Sequence, residues 1–287
     1  MTTAIVHAQP RGCWRLRTVT GVVLLWSRFG PATGRARGQA TRSCPPGGLA
    51  GSTPVTPDPS ALPVPGALPG ALPGRFVALV PVKPPVRGKS RLQGVDDEAR
   101  TALADAFAAD TVAACLAARG VARVLVATDD AALATTLAST GATCLPDGAT
   151  GLNESLTQSA AEAARRWPDL FPVALTADLP GLVPDELDAA LVAALGVLED
   201  DGQAFVPDAA GTGTTLYTAP AARFVPRYGG GSASAHTSAG CVDLTTRTDV
   251  PLGSVRRDVD DLVDLATAAS FGVGPRTRGV LDRLGLF

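Results

Sequence analysis

Residues 76–82 read FVALVPV, and Lys83-Pro84-Pro85-Val86-Arg87-Gly88-Lys89-Ser90-Arg91-Leu92 comes directly after. A short, unbroken apolar run rich in valine is what a strand covered on both faces requires, since neither face meets water. The same pattern repeats outward from this point. An Ala/Leu-rich helix is predicted over 96–119, a strand over 122–127 (ARVLVA), a helix over 131–139 and a strand over 142–145. A helix over 152–167 and a strand over 173–177 come next, then a helix over 184–198 that carries Pro184 in its first turn. Strands over 204–207 and 215–218, a glycine-rich loop, a strand near 241–244 and a helix from about Asp261 complete the series. Strand and helix alternating at this spacing predict a three-layer, doubly wound α/β domain with a mainly parallel sheet.

In such sheets ligands bind beyond the carboxyl ends of the strands, so the residues leaving each strand are the candidates. Lys83, Arg87, Lys89 and Arg91 put four cations within nine residues. On a loop that leads into a helix N-terminus they suit a polyphosphate, a solvated basic loop being the alternative. The loop is not a Walker A motif, because Gly88-Lys89-Ser90 lacks the earlier glycine. Asp178, in Asp178-Leu179-Pro180, leaves a buried strand, where a carboxylate is costly unless it binds a cation or caps a helix. Asp208 leads into Gly211-Thr212-Gly213-Thr214-Thr215, a loop of small residues that lets backbone approach a ligand closely. Arg227-Tyr228-Gly229-Gly230-Gly231-Ser232 opens a serine-rich helix start and is a candidate anion nest.

Asp258 and Asp260 stand at alternate positions of Arg256-Arg257-Asp258-Val259-Asp260-Asp261. In a strand they would face the same side and could share a divalent ion; N-capping is the competing account, better for Asp260 and Asp261. Asn153, in Gly151-Leu152-Asn153-Glu154, is either an N-cap or an amide reading a nucleobase edge. Cations for phosphates and carboxylates for a metal, gathered at several strand ends, imply a nucleoside triphosphate held with Mg²⁺. With no Walker A motif, this points to a nucleotidyltransferase rather than a P-loop ATPase.

Composition divides the chain at about residue 74. The first 74 of the 287 residues hold 11 of the 24 prolines and seven arginines against one acid, Asp58, a net charge of +6. Residues 75–287 hold 18 basic and 26 acidic residues, a net charge of −8, which with few aromatics argues against nucleic acid. The stretch 66–74, GALPGALPG, is of low complexity, so 1–74 is expected to be a disordered or mis-annotated extension and 75–287 the working domain. Residues 18–26 faintly resemble a signal peptide, but the apolar core is short and is cut off by Arg28. No run reaches the roughly 20 apolar residues of a membrane span, and a cytoplasmic protein is expected. The five cysteines are widely spaced and the histidines number two, His7 and His236, so reduced thiols and no Cys/His zinc site are expected. Only two of the 25 basic residues are lysine, Lys83 and Lys89, six apart. In a chain that otherwise uses arginine, as GC-rich genomes favour, the pair suggests a place that wants a compact ammonium.

As an ordered set, VPVKPPVRGKSRL, GLNESL, ADLPGL, GTGTTL, RYGGGSASAH and RRDVDDLVDL resemble the guanylyltransferases of deazaflavin-coenzyme biosynthesis, over about residues 76–284. The resemblance implies a nucleotidyltransferase fold of the glycosyltransferase-A-like type. It implies activation of phosphoenolpyruvate or 2-phospho-L-lactate with GTP, and delivery of the product to a downstream deazaflavin transferase. The GC-rich composition favours phosphoenolpyruvate, the acid of actinobacterial members. Asp178 and Asp258 match metal-binding aspartates, with Asp260 as helper. Thr214, Gly229 and Ser232 match positions that hold the phosphorylated acid. Lys83, Lys89 and Arg91 match nucleotide-phosphate ligands, with Asp178, Asp258, Lys83 and Lys89 as the catalytic set. Asn153 is implied to face the base, and a homodimer is implied as well. The competing readings are a nucleotidyltransferase with another acceptor, such as a molybdopterin type, and a nucleotide-binding regulator without turnover.

Overall fold

A computed structural model describes residues 74–83 and 94–286. The extension up to residue 73, and Arg87, Lys89 and Arg91, therefore lie outside the described residues. Among the described residues seven strands form one sheet: β1 (Phe76–Pro81), β2 (Val121–Ala127), β3 (Thr143–Leu145), β4 (Phe171–Leu175), β5 (Ala204–Pro207), β6 (Thr214–Thr218) and β7 (Val242–Asp243). Within the same residues, seven α-helices connect or flank them: α1 (Asp97–Ala117), α2 (Ala131–Ala138), α3 (Leu152–Arg166), α4 (Pro184–Glu199), α5 (Ser232–Ser238), α6 (Leu262–Phe271) and α7 (Pro275–Leu284).

The strand order is β3-β2-β1-β4-β6-β5-β7. β1 is buried at all six positions and sits between β2 and β4, parallel to both. Its side chains alternate between two cores, as the period of two in a strand demands. Phe76, Ala78 and Val80 join α1, α2 and α4 on one face, while Val77 and Leu79 join α3 and α5 on the other. The chain leaves β1 toward β2 and β3, then returns to β4 on the opposite side of β1. That reversal opens a crevice at the carboxyl ends of β1 and β4.

β6 is antiparallel to both β4 and β5, and the remaining pairs are parallel, so the sheet is mainly parallel as expected. The one reversed strand has a consequence for the site: its first residue, Thr214, lies at the edge where its neighbours end. Local chemistry sets the helix starts. Asp96 caps α1 by accepting the Ala99 N–H at 2.8 Å. Pro184 opens α4, and Asp261 with Asp264 forms a capping box at α6.

Two expectations need correction. β4 ends at Leu175, not at residue 177, because its last register pair with β6 is Leu175–Leu216, followed only by a bond from the Thr176 N–H to the Thr215 carbonyl at 3.0 Å. The segment around Asp258 and Asp260 has no regular secondary structure and is not a strand of the sheet. Helix α7 goes beyond the sequence reading. Val280 and Leu281 pack with Leu103 and Phe107 of α1 and Leu265 of α6 in a third core. Its first turn is held by buried Asp110 of α1, which accepts the Arg276 and Thr277 N–H groups at 3.2 and 2.8 Å. Among the described residues no helix is long and apolar enough to cross a membrane.

Candidate active site

The residues at the carboxyl edge are joined by hydrogen bonds into one rim. At the exit of β1, the Lys83 ammonium lies 2.9 Å from Asp147 Oδ2 and donates to the Ala149 carbonyl at 2.8 Å. Asp147 follows β3 and is almost wholly buried, and Asp129 accepts its backbone N–H at 2.9 Å. Lys83 keeps about a third of its side chain exposed, so the ammonium is anchored but still faces solvent.

Glu154 takes the Thr150 N–H at 2.9 Å and its hydroxyl at 2.7 Å, which draws its carboxyl below the usual range. This shapes the start of α3, whose N-cap is Gly151. The N-cap reading of Asn153 is therefore incorrect. Its amide instead makes a matched pair with the backbone of Tyr228: Nδ2 donates to the carbonyl at 2.9 Å, and Oδ1 accepts the N–H at 2.8 Å. One N–H and one oxygen lone pair of the amide are left over.

Asn153 thus pins the glycine-rich loop. Gly229 and Gly231 of that loop have φ values of 136° and 71°, a region that side-chain-bearing residues rarely enter. Ser232 is buried, and its N–H donates to the Gly229 carbonyl at 3.1 Å. The Ala233 N–H donates to the Thr212 carbonyl at 3.2 Å, which brings the second small-residue loop alongside. That loop is closed by the Asp208 carboxylate, which accepts the Thr212 and Gly213 N–H groups at 2.8 and 2.7 Å. Thr214 and Ser232 therefore open β6 and α5 at the ends of two loops that are stitched to each other.

The aspartates form the other side of the crevice. Thr111, fully buried on α1, accepts the Leu179 N–H at 3.1 Å and donates to the Ala177 carbonyl at 3.4 Å, gripping the chain on both sides of Asp178. The Val259 N–H donates to the Asp178 carbonyl at 3.0 Å. The Arg256 guanidinium holds the carbonyls of Pro207 and Asp208 at 3.1 and 2.7 Å. Asp258 is brought in between. Burial first, and then the charges of Asp178, Asp260 and Asp208, push its carboxyl up to about 7. Asp260 is exposed, and its N–H donates to Asp264 at 3.2 Å. The Tyr228 hydroxyl donates to the Ala174 carbonyl of β4 at 3.2 Å and ties the loop side to the aspartate side.

Among the described residues no three histidine, cysteine or acidic side chains make up a metal-binding group on their own. The donors suit a magnesium–nucleotide all the same, because Mg²⁺ is commonly bound by one or two carboxylates plus substrate phosphates. A half-buried carboxyl crowded by three others is a place where a cation relieves repulsion.

Sequence reasoning missed Asp147, Thr111 and His236. The rule that singles out Asp178, an acid just past a strand, would also find Asp147. The helical position of Thr111 is unremarkable, and its role is visible only from what packs over it. His236 carries no signal in the sequence, because no nucleophile there calls for a histidine.

No protein-family model matches the chain. A solved structure assigned as a nucleotide-diphospho-sugar transferase, from Desulfovibrio desulfuricans G20, superposes with a TM-score of 0.53 and 18% identity, covering 73% of this chain and 95% of that one. That likeness and the mainly parallel three-layer sheet define the class: a nucleotidyltransferase fold. Sequence relatives narrow it. The phosphoenolpyruvate guanylyltransferase of Salinispora arenicola is 47% identical over 205 residues, 70% of this chain and 91% of the relative. That of Streptomyces coelicolor is 46% identical over 213 residues, 73% of this chain and 97% of the relative. The chain belongs to the phosphoenolpyruvate guanylyltransferase family and is an enzyme.

Proposed function

We propose that this protein condenses GTP with phosphoenolpyruvate to give enolpyruvoyl-diphospho-guanosine and pyrophosphate, a step in making a deazaflavin coenzyme. The observation that carries the reading is the joining of Asp178 and Asp258 through the Val259–Asp178 bond, opposite the stitched loops of Thr214 and Ser232. Relatives named for this reaction support it over the molybdopterin-type and non-catalytic alternatives, and over 2-phospho-L-lactate as acceptor. The catalytic unit is assigned to residues 75–287, and the preceding segment takes no part in the chemistry. Both substrates are cytoplasmic metabolites, which assigns the reaction to the cytoplasm, with a deazaflavin-modifying transferase as consumer of the product and a homodimer as the working form.

The acceptor phosphate is already anionic at neutral pH, so it needs no strong base to attack the α-phosphorus. The task is to bring two polyanions into line and offset their repulsion. Asp178 and Asp258, with Asp260 at the rim, would hold Mg²⁺, whose chemistry is to neutralise the triphosphate and the departing pyrophosphate. Lys83, oriented by Asp147 and joined by Lys89 and Arg91, binds nucleotide phosphates. Asn153 turns its remaining N–H and lone pair toward the base. Thr214, Gly229 and Ser232 hold the phosphorylated acid. The test is pyrophosphate release with Mg²⁺-GTP and either acid. Release with phosphoenolpyruvate is expected, and its absence with both acids would reject the assignment.

A further inference from the structure

His236 is fully buried, and its environment determines where its proton sits. The imidazole stacks against Phe205 and Tyr217, with centroids at 5.5 and 4.8 Å, and meets Tyr228 in a T-shaped contact at 5.8 Å. The ring plane is therefore held. Nε2 receives the Arg227 backbone N–H at 3.1 Å. An amide N–H can only donate, so Nε2 must present its lone pair. The single proton of the neutral ring is then on Nδ1, which lies 3.0 Å from Thr214 Oγ1. Burial lowers the basicity of the ring, to about 4, with the nearby Ser232 carbonyl offsetting this in part and the Arg227 charge adding to it. The ring is thus neutral at physiological pH, with one tautomer.

We propose that His236 is a positioning residue for the acid-binding loops: by donating from Nδ1 it fills the acceptor side of the Thr214 hydroxyl and obliges that hydroxyl to donate outward, to an anionic oxygen of the bound acid. With the proton on Nε2 instead, Thr214 would donate into the ring and offer the ligand only lone pairs, which repel an anion. Among the described residues Thr214 Oγ1 has no second partner, and Thr214 is only 5% exposed, so its proton has no acceptor until a ligand supplies one. The same ring holds the start of the Arg227–Ser232 loop through Nε2, so one side chain coordinates both loops. The proposal rests on the phosphorylated acid binding at Thr214, Gly229 and Ser232.

Two arms test it. In the first, ¹⁵N-labelled wild-type protein is examined by long-range ¹H–¹⁵N NMR. With only His7 and His236 in the chain, assignment is direct. A neutral Nδ1–H tautomer for His236 between pH 5.5 and 8, conditions we choose for the experiment within about two units of the ordinary imidazole value, is expected. An Nε2–H tautomer would overturn the proposal whatever the reaction turns out to be.

The second arm separates KM from kcat. In His236→Asn the amide nitrogen can replace Nδ1 as donor to Thr214, whereas in His236→Gln the carbonyl can replace Nε2 as acceptor for Arg227. His236→Gln is expected to raise the KM for phosphoenolpyruvate by about tenfold or more, the size of a lost charge-assisted hydrogen bond. The KM for GTP should stay within about twofold. Thr214→Val should behave in the same way, and adding His236→Gln to it should cost little more. His236→Asn should recover most of the affinity. Equal effects of Asn and Gln, or parallel rises in both KM values, would show a merely structural histidine and overturn the proposal. Failure of the wild type to release pyrophosphate would instead reject the function, leaving the tautomer measurement to stand or fall separately.

Discussion

The Val259 N–H donates to the Asp178 carbonyl at 3.0 Å. The sheet does not pair these two segments, so this bond and the Thr111 grip are what bring carboxylates from distant parts of the chain to one place. The Val259 side chain is wholly buried and points into the α1–α6–α7 core, which leaves Asp258 and Asp260 on the crevice side.

Neutralising Asp258 is expected to separate activity from stability. Asp258→Asn should lower pyrophosphate release by roughly a hundredfold or more. The metal-free protein should melt no lower, and at pH 8 higher, than wild type, because the folded-state carboxyl is raised to about 7 by burial and neighbouring charge. A group raised in this way adds stability at low pH and loses it as pH climbs through its folded value. Calorimetry at pH 5 and pH 8, alongside the assay, checks both halves.

Thr111→Val should cost about 1–3 kcal/mol in urea unfolding, because it strands the buried Leu179 N–H. Turnover should fall with it, because Asp178 lies between the two backbone groups that Thr111 holds. Thr111→Ser, which keeps the hydroxyl, should restore most of both.

Asp147→Asn removes the charge that orients Lys83 at 2.9 Å. The expected result is a severalfold higher KM for GTP with little change for the acid, as when one of several phosphate contacts is weakened. Isothermal titration with a non-hydrolysable GTP analogue would report the same loss without turnover.

Acid should unfold the protein partly through His236. Its basicity in the folded state falls to about 4, against about 6.5 in the unfolded chain. Stability from this group is complete above pH 6.5 and is lost as pH drops toward 4, by roughly 3 kcal/mol in all. In His236→Asn that segment of the pH–stability curve should flatten.

The strand ends are legible because their chemistry is local. An acid after a buried run, as in Leu175 through Asp178, or glycines in tandem, as in Gly229–Gly231, can be read from spacing alone. The sequence pattern places the end of β4 two residues late because that end depends on where β6 stops pairing, a non-local event. The position of Asn153 suggests a helix start, yet its amide is bonded to Tyr228, 75 residues away. Asp110 shows the same effect: nothing about it as a helical residue announces that it caps α7, more than 160 residues on.

By itself, then, the sequence determined the alternating α/β architecture, the carboxyl-edge location of the candidates and the presence of both cations and carboxylates there, since all three arise from short-range patterns of burial and charge. Only the tertiary structure decided which of these groups meet: that Asp147 holds Lys83, that Thr111 and Val259 flank Asp178, and that His236 sits under Thr214. The physical reason is that directed hydrogen bonds between distant segments depend on ångström-scale positions, and those are set by packing of the whole sheet rather than by any run of residues.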